Sequence, residues 1–435
     1  MNEEVREPLE TSEHLEEEQG KQSIFRVVGS GVITGAADDD PSAIGTYASA
    51  GAKYGVAFLW VAPVLLPMMY IVVYLASKLG KVYGKGLFAA IKDRFPAWVL
   101  YPVLAGGIIG NVIEAAADLG GIAAALNLMI PLPIPLIVAL VAAFIVALQW
   151  FGSYSLLRQI FRWLALALFA YVAAAIMAKP DPLQVIRGTF LPNVRFDAEF
   201  LAILVACIGT SLSAYIYTWQ SNQEVEEEIA QGKRRWWQRR GASHKEMQRT
   251  GRDVIVGMLF SNLILYFIIL STAVTLHPAG QIEIETAAQA AQALRPLAGD
   301  AAGLLFILGI VGVGFMAVPI MTTGAAYDVV QGLGKHASLH DKPSESRLFY
   351  GTIVAVSVVA VLLNYLGFNP MKMLVWSGVV QGFSVPPLLV LMIIMSNDRK
   401  MMGDKVNGRW TNFLAGATAL VTFLAALFLV ATWLL

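Results

Sequence analysis

The sequence predicts an all-α polytopic membrane protein, on three observations. Hydrophobic residues make up 57% of the 435 and charged residues only 14%, far from the composition of soluble domains. Mean hydropathy is +0.62. Apolar runs near the ~20 residues that cross a bilayer recur along the whole chain. The single cysteine, Cys207, excludes an intrachain disulfide or a thiolate metal cluster and reads as a small packing residue.

Taken in order, residues 1–22 are acidic and polar with no basic leader or cleavage signal, so they read as a disordered tail. Eleven apolar segments follow, at about 24–50, 54–77, 96–129, 133–150, 155–178, 199–221, 253–276, 302–330, 348–367, 371–396 and 410–434. Threaded alternately from an inside N-terminus, they put 25 of the 31 Lys and Arg in the tail and inner connections. That bias predicts a cytoplasmic N-terminus and an outside C-terminus. It also accounts for the basic run Lys233 to Arg240 as a lipid-facing stretch rather than a nucleic-acid patch. The expected organisation is a first five-helix repeat at 23–178, an outer loop at 179–198, a second repeat at 199–396 with an inner loop at 222–252, and a loop plus final helix at 397–435.

The first segment contains Asp38, Asp39, Asp40 and Pro41. An Asp at the centre of a spanning helix costs about 2.5 to 3.5 kcal/mol, so the carboxylates must face a cavity or a cation. Pro41 removes a backbone donor and disfavours helix at Asp40. A break is therefore expected near residues 37–42, where freed carbonyls at membrane depth need protein, water or an ion. Carboxylate plus free carbonyls makes an oxygen-rich cation site. If the fold is an inverted repeat of LeuT type, five helices plus five, segment 6 should be interrupted as well. It carries Gly209, Thr210, Ser211 and Ser213 in mid-span.

At these two places the sequence resembles the Nramp family of divalent-metal transporters, in particular its magnesium-transporting branch. The family's Asp-Pro-Gly-Asn is matched by Asp40-Pro41-Ser42-Ala43, followed at family spacing by Ala50-Gly51-Ala52 and Tyr54-Gly55. Ala123 to Leu128 looks like the end of its third helix, and Ser377 to Pro386 like its tenth. The resemblance implies metal coordination by Asp40 and by the carbonyls of Ala37 and Thr210. The family's Asn falls on Ala43, its Met-Pro-His on Ser213-Ala214-Tyr215, and its helix 10 Gln on Gly378. Loss of the thioether favours hard cations, Mg²⁺ or Mn²⁺ above Fe²⁺. Trp219 is either a wall of a widened site or a packing residue.

On segment 3, Glu114 and Asp118 are four apart and share a helix face. By resemblance they form either a proton path or a solvated vestibule wall. No histidine lies at membrane depth. Asp38 and Asp39 have no family counterpart and are assigned either to an outer vestibule that concentrates cations or to proton uptake. Glu224, Glu226, Glu227 and Glu228 read as a solvated helix end, with an exit vestibule for cations as the alternative, and Gly309, Gly312 and Gly314 as helix packing.

These readings predict import of a divalent cation by alternating access, with or without proton coupling, in a bacterial-type inner membrane. The metal is substrate, no cofactor is expected, and the partners are the metal and the bilayer, not nucleic acid. An organic-solute transporter of the same fold is the alternative, although the Asp cluster would repel a substrate carboxylate. An intramembrane aspartyl protease, suggested by Tyr327-Asp328, needs a second Asp in a Gly-x-Gly-Asp setting, which is missing.

Overall fold

The computed structural model describes residues 30–151, 168–335, 338, 339 and 341–434. The tail at 1–22, the first half of segment 5, His336 and His340 lie outside the described residues. Among the described residues, nine helical stretches are long and apolar enough to cross a membrane. Segment 1 is not among them because it is two short helices, and segment 5 is described only from Leu168 onward.

The interrupted first element is α1 (Ser30–Asp38) and α2 (Pro41–Tyr54). Asp40 stands between them as the N-cap of α2, with extended backbone and Pro41 as the first helical residue, where a missing N–H costs nothing. Then come α3 (Val61–Lys78), α4 (Leu87–Arg94), α5 (Ala97–Leu126), α6 (Ile134–Phe151) and α7 (Phe169–Met177). The expected outer loop contains a short helix, α8 (Pro182–Phe190), capped by Asp181.

Segment 6 is interrupted too, as α9 (Ala198–Ser211) and α10 (Ala214–Ala230). The remaining spans are α11 (His244–Thr275), α12 (Ala302–Gly332), α13 (Arg347–Asn364), α14 (Pro370–Asn397) and α15 (Arg409–Leu434). The expected loop at 222–252 is a correction: α10 runs on to Ala230 and α11 starts at His244, under a Ser243 and Glu246 capping box.

Helix α1 packs on α11, and α9 packs on α14. Both contacts are backbone to backbone. A Cβ on Gly35 would overlap the Gly257 carbonyl, and one on Gly209 would overlap the Gly378 carbonyl. Only glycine allows this approach. Of the glycines in α12, Gly314 packs on Ile122 and Pro41, while Gly309 faces open space. Large apolar side chains such as Leu140, Phe144, Leu362 and Phe423 are exposed on the outside of the bundle, where lipid tails are their solvent.

The polar end of α10 is also a correction. Glu224, Glu226 and Glu228 are buried, and of the four only Glu227 is exposed. Glu224 accepts from Ser77 and lies 3.7 Å from the Lys81 ammonium, and Glu226 accepts from Tyr327 and Ser338 at 2.7 Å each. Helix α10 runs down the inside of the bundle, so carboxylates that look solvated in sequence are paired within it.

Candidate metal site

The two interruptions meet in the interior around Asp40. Its Oδ1 accepts from the Ala43 N–H at 2.7 Å, which caps α2, and its Oδ2 accepts from the Tyr215 hydroxyl at 3.0 Å. The same hydroxyl lies 2.8 Å from the Ala37 carbonyl. Tyr215, from the first turn of α10, therefore joins the expected side-chain ligand to an expected carbonyl ligand. Ala43 offers the site only its backbone N–H.

The second interruption has no proline and is held by a distant residue. Ser213 adopts extended backbone between α9 and α10. Its hydroxyl points back to the Gly209 and Thr210 carbonyls at 3.1 Å each and to Glu114 Oε1 at 2.8 Å. The other Glu114 oxygen accepts from Gln381 Nε2 at 2.6 Å. One turn further along α5, Asp118 Oδ1 accepts from the Ser42 N–H at 2.9 Å and the Ser42 hydroxyl at 2.6 Å. The helix face shared by Glu114 and Asp118 thus addresses both breaks, Glu114 at the start of α10 and Asp118 at the start of α2.

Gln381 was not singled out from sequence. In sequence the family's glutamine falls on Gly378, but Gly378 packs its Cα against Ala206 and has no side chain to offer. Gln381, one turn on and fully buried, reaches Glu114 and the Ala214 N–H instead. A glutamine in the middle of an apolar segment was the available signal. The shift by a helical turn was not visible without the facing helix.

Asp38 and Asp39 are buried rather than in an outer vestibule, which corrects that reading. They share Ser261 on α11, at 2.8 Å to Asp38 Oδ2 and 3.2 Å to Asp39 Oδ1. One hydroxyl proton cannot serve both carboxylates at once. A solvated wall at Glu114 and Asp118 is corrected likewise, since neither has exposed surface. Trp219 is also buried, on α10 beyond Tyr215.

Asp38, Asp39, Asp40, Glu114 and Asp118 are all fully buried, and among the described residues no Lys or Arg forms an ion pair with them. Asp38 Oδ1, Asp39 Oδ2, Asp118 Oδ2 and Thr210 Oγ1 are buried with no hydrogen bond. Uncompensated buried carboxylates are costly, and oxygens without donors are what a hard cation takes as ligands. Among the described residues no three Asp, Glu, His or Cys side chains converge on one point, so a cation here would draw its ligands from backbone carbonyls and hydroxyls as well as from Asp40.

Comparison with known proteins agrees with this chemistry. The sequence matches the Nramp family, described as natural resistance-associated macrophage protein-like, over residues 31–432. It is 27% identical over 382 residues to a divalent metal cation transporter MntH of Pectobacterium carotovorum, covering 85% of each chain. It is 26% identical over 387 residues to the MntH of Klebsiella pneumoniae, covering 87% of each. The fold resembles that of the Eremococcus coleocola manganese transporter, with a TM-score of 0.71 at 16% identity over 98% of this chain and 88% of that one. A nucleobase-cation-symport-1 family transporter shares the architecture at a TM-score of 0.58 and 13% identity, covering 94% of this chain and 93% of that one. With a sequence match that runs nearly end to end and the two interrupted helices meeting at Asp40, this chain belongs to the Nramp family.

Proposed function

We propose that the protein imports divalent metal cations across a cell membrane by alternating access. Its family consists of transporters rather than enzymes, and the relatives named above as MntH are divalent metal cation transporters. The observation that carries the reading is the buried, all-oxygen donor set where the two interrupted helices meet. Asp40 is the principal ligand, joined by the Ala37 and Thr210 carbonyls and the Ser213 hydroxyl. Asp38, Asp39 and Trp219 lie around it, and the metal is substrate, not cofactor.

The absence of a thioether or imidazole in this set favours Mn²⁺ and Mg²⁺ over softer ions. Glu114 and Asp118 are the groups through which a proton would be coupled, because they bridge both breaks without touching solvent. Five-helix repeats at 23–178 and 199–396 and a cytoplasmic N-terminus complete the reading, supported by the distribution of Lys and Arg. The organic-solute alternative lacks support from a site whose five buried carboxylates, Asp38, Asp39, Asp40, Glu114 and Asp118, form no ion pair with a Lys or Arg among the described residues.

The deciding experiment is uptake of Mg²⁺, Mn²⁺ and Cd²⁺ into proteoliposomes while a trapped dye reports internal pH. Mn²⁺ or Mg²⁺ uptake that Asp40→Ala abolishes is the expected result. Transport that survives Asp40→Ala would overturn the ligand assignment. Cd²⁺ uptake without Mg²⁺ would overturn the argument from donor softness.

A further inference from the structure

Away from the interior site, a cavity of about 950 Å³ opens at the end of the bundle where α4 ends, α14 ends and the loop after α10 folds back. Its charged lining is Arg94, Arg240, Arg399 and Lys400 against Asp93 and Asp398. Both carboxylates are already engaged. Asp398 binds Arg94 at 2.6 Å and the Lys400 N–H at 2.8 Å, and Asp93 binds Lys85 at 2.6 Å and the Tyr83 hydroxyl at 2.8 Å. Arg240, Arg399 and Lys400 therefore leave the cavity a surplus of positive charge.

Arg240 is held in place before any ligand arrives. Its guanidinium lies 5.2 Å from the centre of the Trp236 ring and 5.9 Å from that of Tyr83, and its Nη2 donates to the Lys400 carbonyl at 2.9 Å. Trp236 is itself anchored by its indole N–H, 2.8 Å from the Tyr83 carbonyl. A guanidinium fixed by ring faces presents its remaining donors in one direction, as phosphate oxygens require.

The depth of the cavity is set by its neighbours. Ile393 and Ile394, in the last turns of the spanning helix α14, form its apolar side. Trp98 at the start of α5, Trp237 beside Trp236 and Trp410 at the start of α15 are exposed by 77%, 64% and 83% at this end of the bundle. Exposed tryptophans at the ends of spans mark the membrane interface. The cavity thus lies at headgroup level, with cations toward the water and isoleucines toward the acyl chains.

We propose that this cavity is a binding site for an anionic phospholipid, whose headgroup phosphate is held by Arg240, Arg399 and Lys400 and whose glycerol and first methylenes lie against Ile393 and Ile394. A free phosphate shares the headgroup's chemistry but has no use for the isoleucines, and the site is assigned to the lipid for that reason.

The test is native mass spectrometry of the full-length protein in mild detergent, titrated with phosphatidylglycerol, with phosphatidylcholine, and with inorganic phosphate. The wild type is expected to retain phosphatidylglycerol at least tenfold better than phosphatidylcholine, with inorganic phosphate a poor competitor. Arg240→Gln/Arg399→Gln/Lys400→Gln should remove that preference. Arg234→Gln/Arg235→Gln/Lys245→Gln, an equal charge change on nearby chain outside the cavity, should keep it. If the triple cavity variant does not fold, Arg399→Gln/Lys400→Gln replaces it, because neither side chain makes a hydrogen bond among the described residues, and it should lose part of the preference. Unchanged retention in the cavity variants, an equal loss in the control, or competition by phosphate at the strength of the lipid would each overturn the proposal.

Discussion

Glu114 and Asp118, one turn apart on α5, each hold the start of one interrupted helix: Glu114 through the Ser213 hydroxyl at 2.8 Å and Asp118 through the Ser42 hydroxyl at 2.6 Å. Two carboxylates on one rigid helix thus set the spacing between the two breaks. A motion of either broken helix relative to α5 would change at least one of these bonds.

Asp118→Ala leaves the Ser42 N–H and hydroxyl facing an apolar gap, a loss of about 1 to 3 kcal/mol. Asp118→Asn keeps an acceptor for Ser42 and removes only the charge. We expect Asp118→Ala to lower thermal stability in detergent clearly more than Asp118→Asn does, and both to slow metal uptake. Equal stability of the two variants would mean that the Ser42 contact contributes little.

Tyr215→Phe removes the hydroxyl that lies between Asp40 and the Ala37 carbonyl. The one hydroxyl proton that these two oxygens share is then gone, again about 1 to 3 kcal/mol, and a bound cation restores what is missing. The expected outcome is lower stability without metal and a larger Mn²⁺-induced rise in melting temperature than in wild type. A smaller rise would mean that the phenol also supports the metal-bound state.

Ser213→Cys replaces a hard donor with a soft one of similar size at the second break. The ratio of Cd²⁺ to Mn²⁺ uptake is expected to increase several-fold. A ratio that stays constant would remove the Ser213 side chain from the ligand set and leave the carbonyls as the contribution of α9.

Gly209→Ala places a methyl on the Gly378 carbonyl and Gly35→Ala places one on the Gly257 carbonyl, so each must push two helices apart. Overpacking of this kind costs about 1 to 3 kcal/mol. Gly309→Ala, which meets nothing within 4 Å, is the control. Size-exclusion profiles and melting curves should show the first two variants destabilised and the third unchanged.

What the sequence by itself determined is local chemistry and solvent. Apolar runs near ~20 residues and the scarcity of charge specify a bundle of membrane-spanning helices, because a helix satisfies its own backbone in the bilayer and a spanning strand needs only about half that length. Asp40-Pro41 specifies the first break, because an N-cap carboxylate and a proline at the first helical position act within three residues. The spacing of Glu114 and Asp118 gives their common face, because helical periodicity is local. The tertiary structure decided what that face meets. Ser213 has no proline beside it, and its break is held by Glu114, 99 residues away in sequence. Glu224 looks like a surface acid in the chain and is interior because α3 closes over it with Ser77, while Asp38 and Asp39, expected to face a cavity or a cation, meet Ser261 of α11. A side chain at Gly378 would overlap the Ala206 backbone, and the buried amide on this helix is that of Gln381, which reaches Glu114 and the Ala214 N–H. Burial and pairing across the bundle are properties of packed helices, and no window of sequence contains both partners.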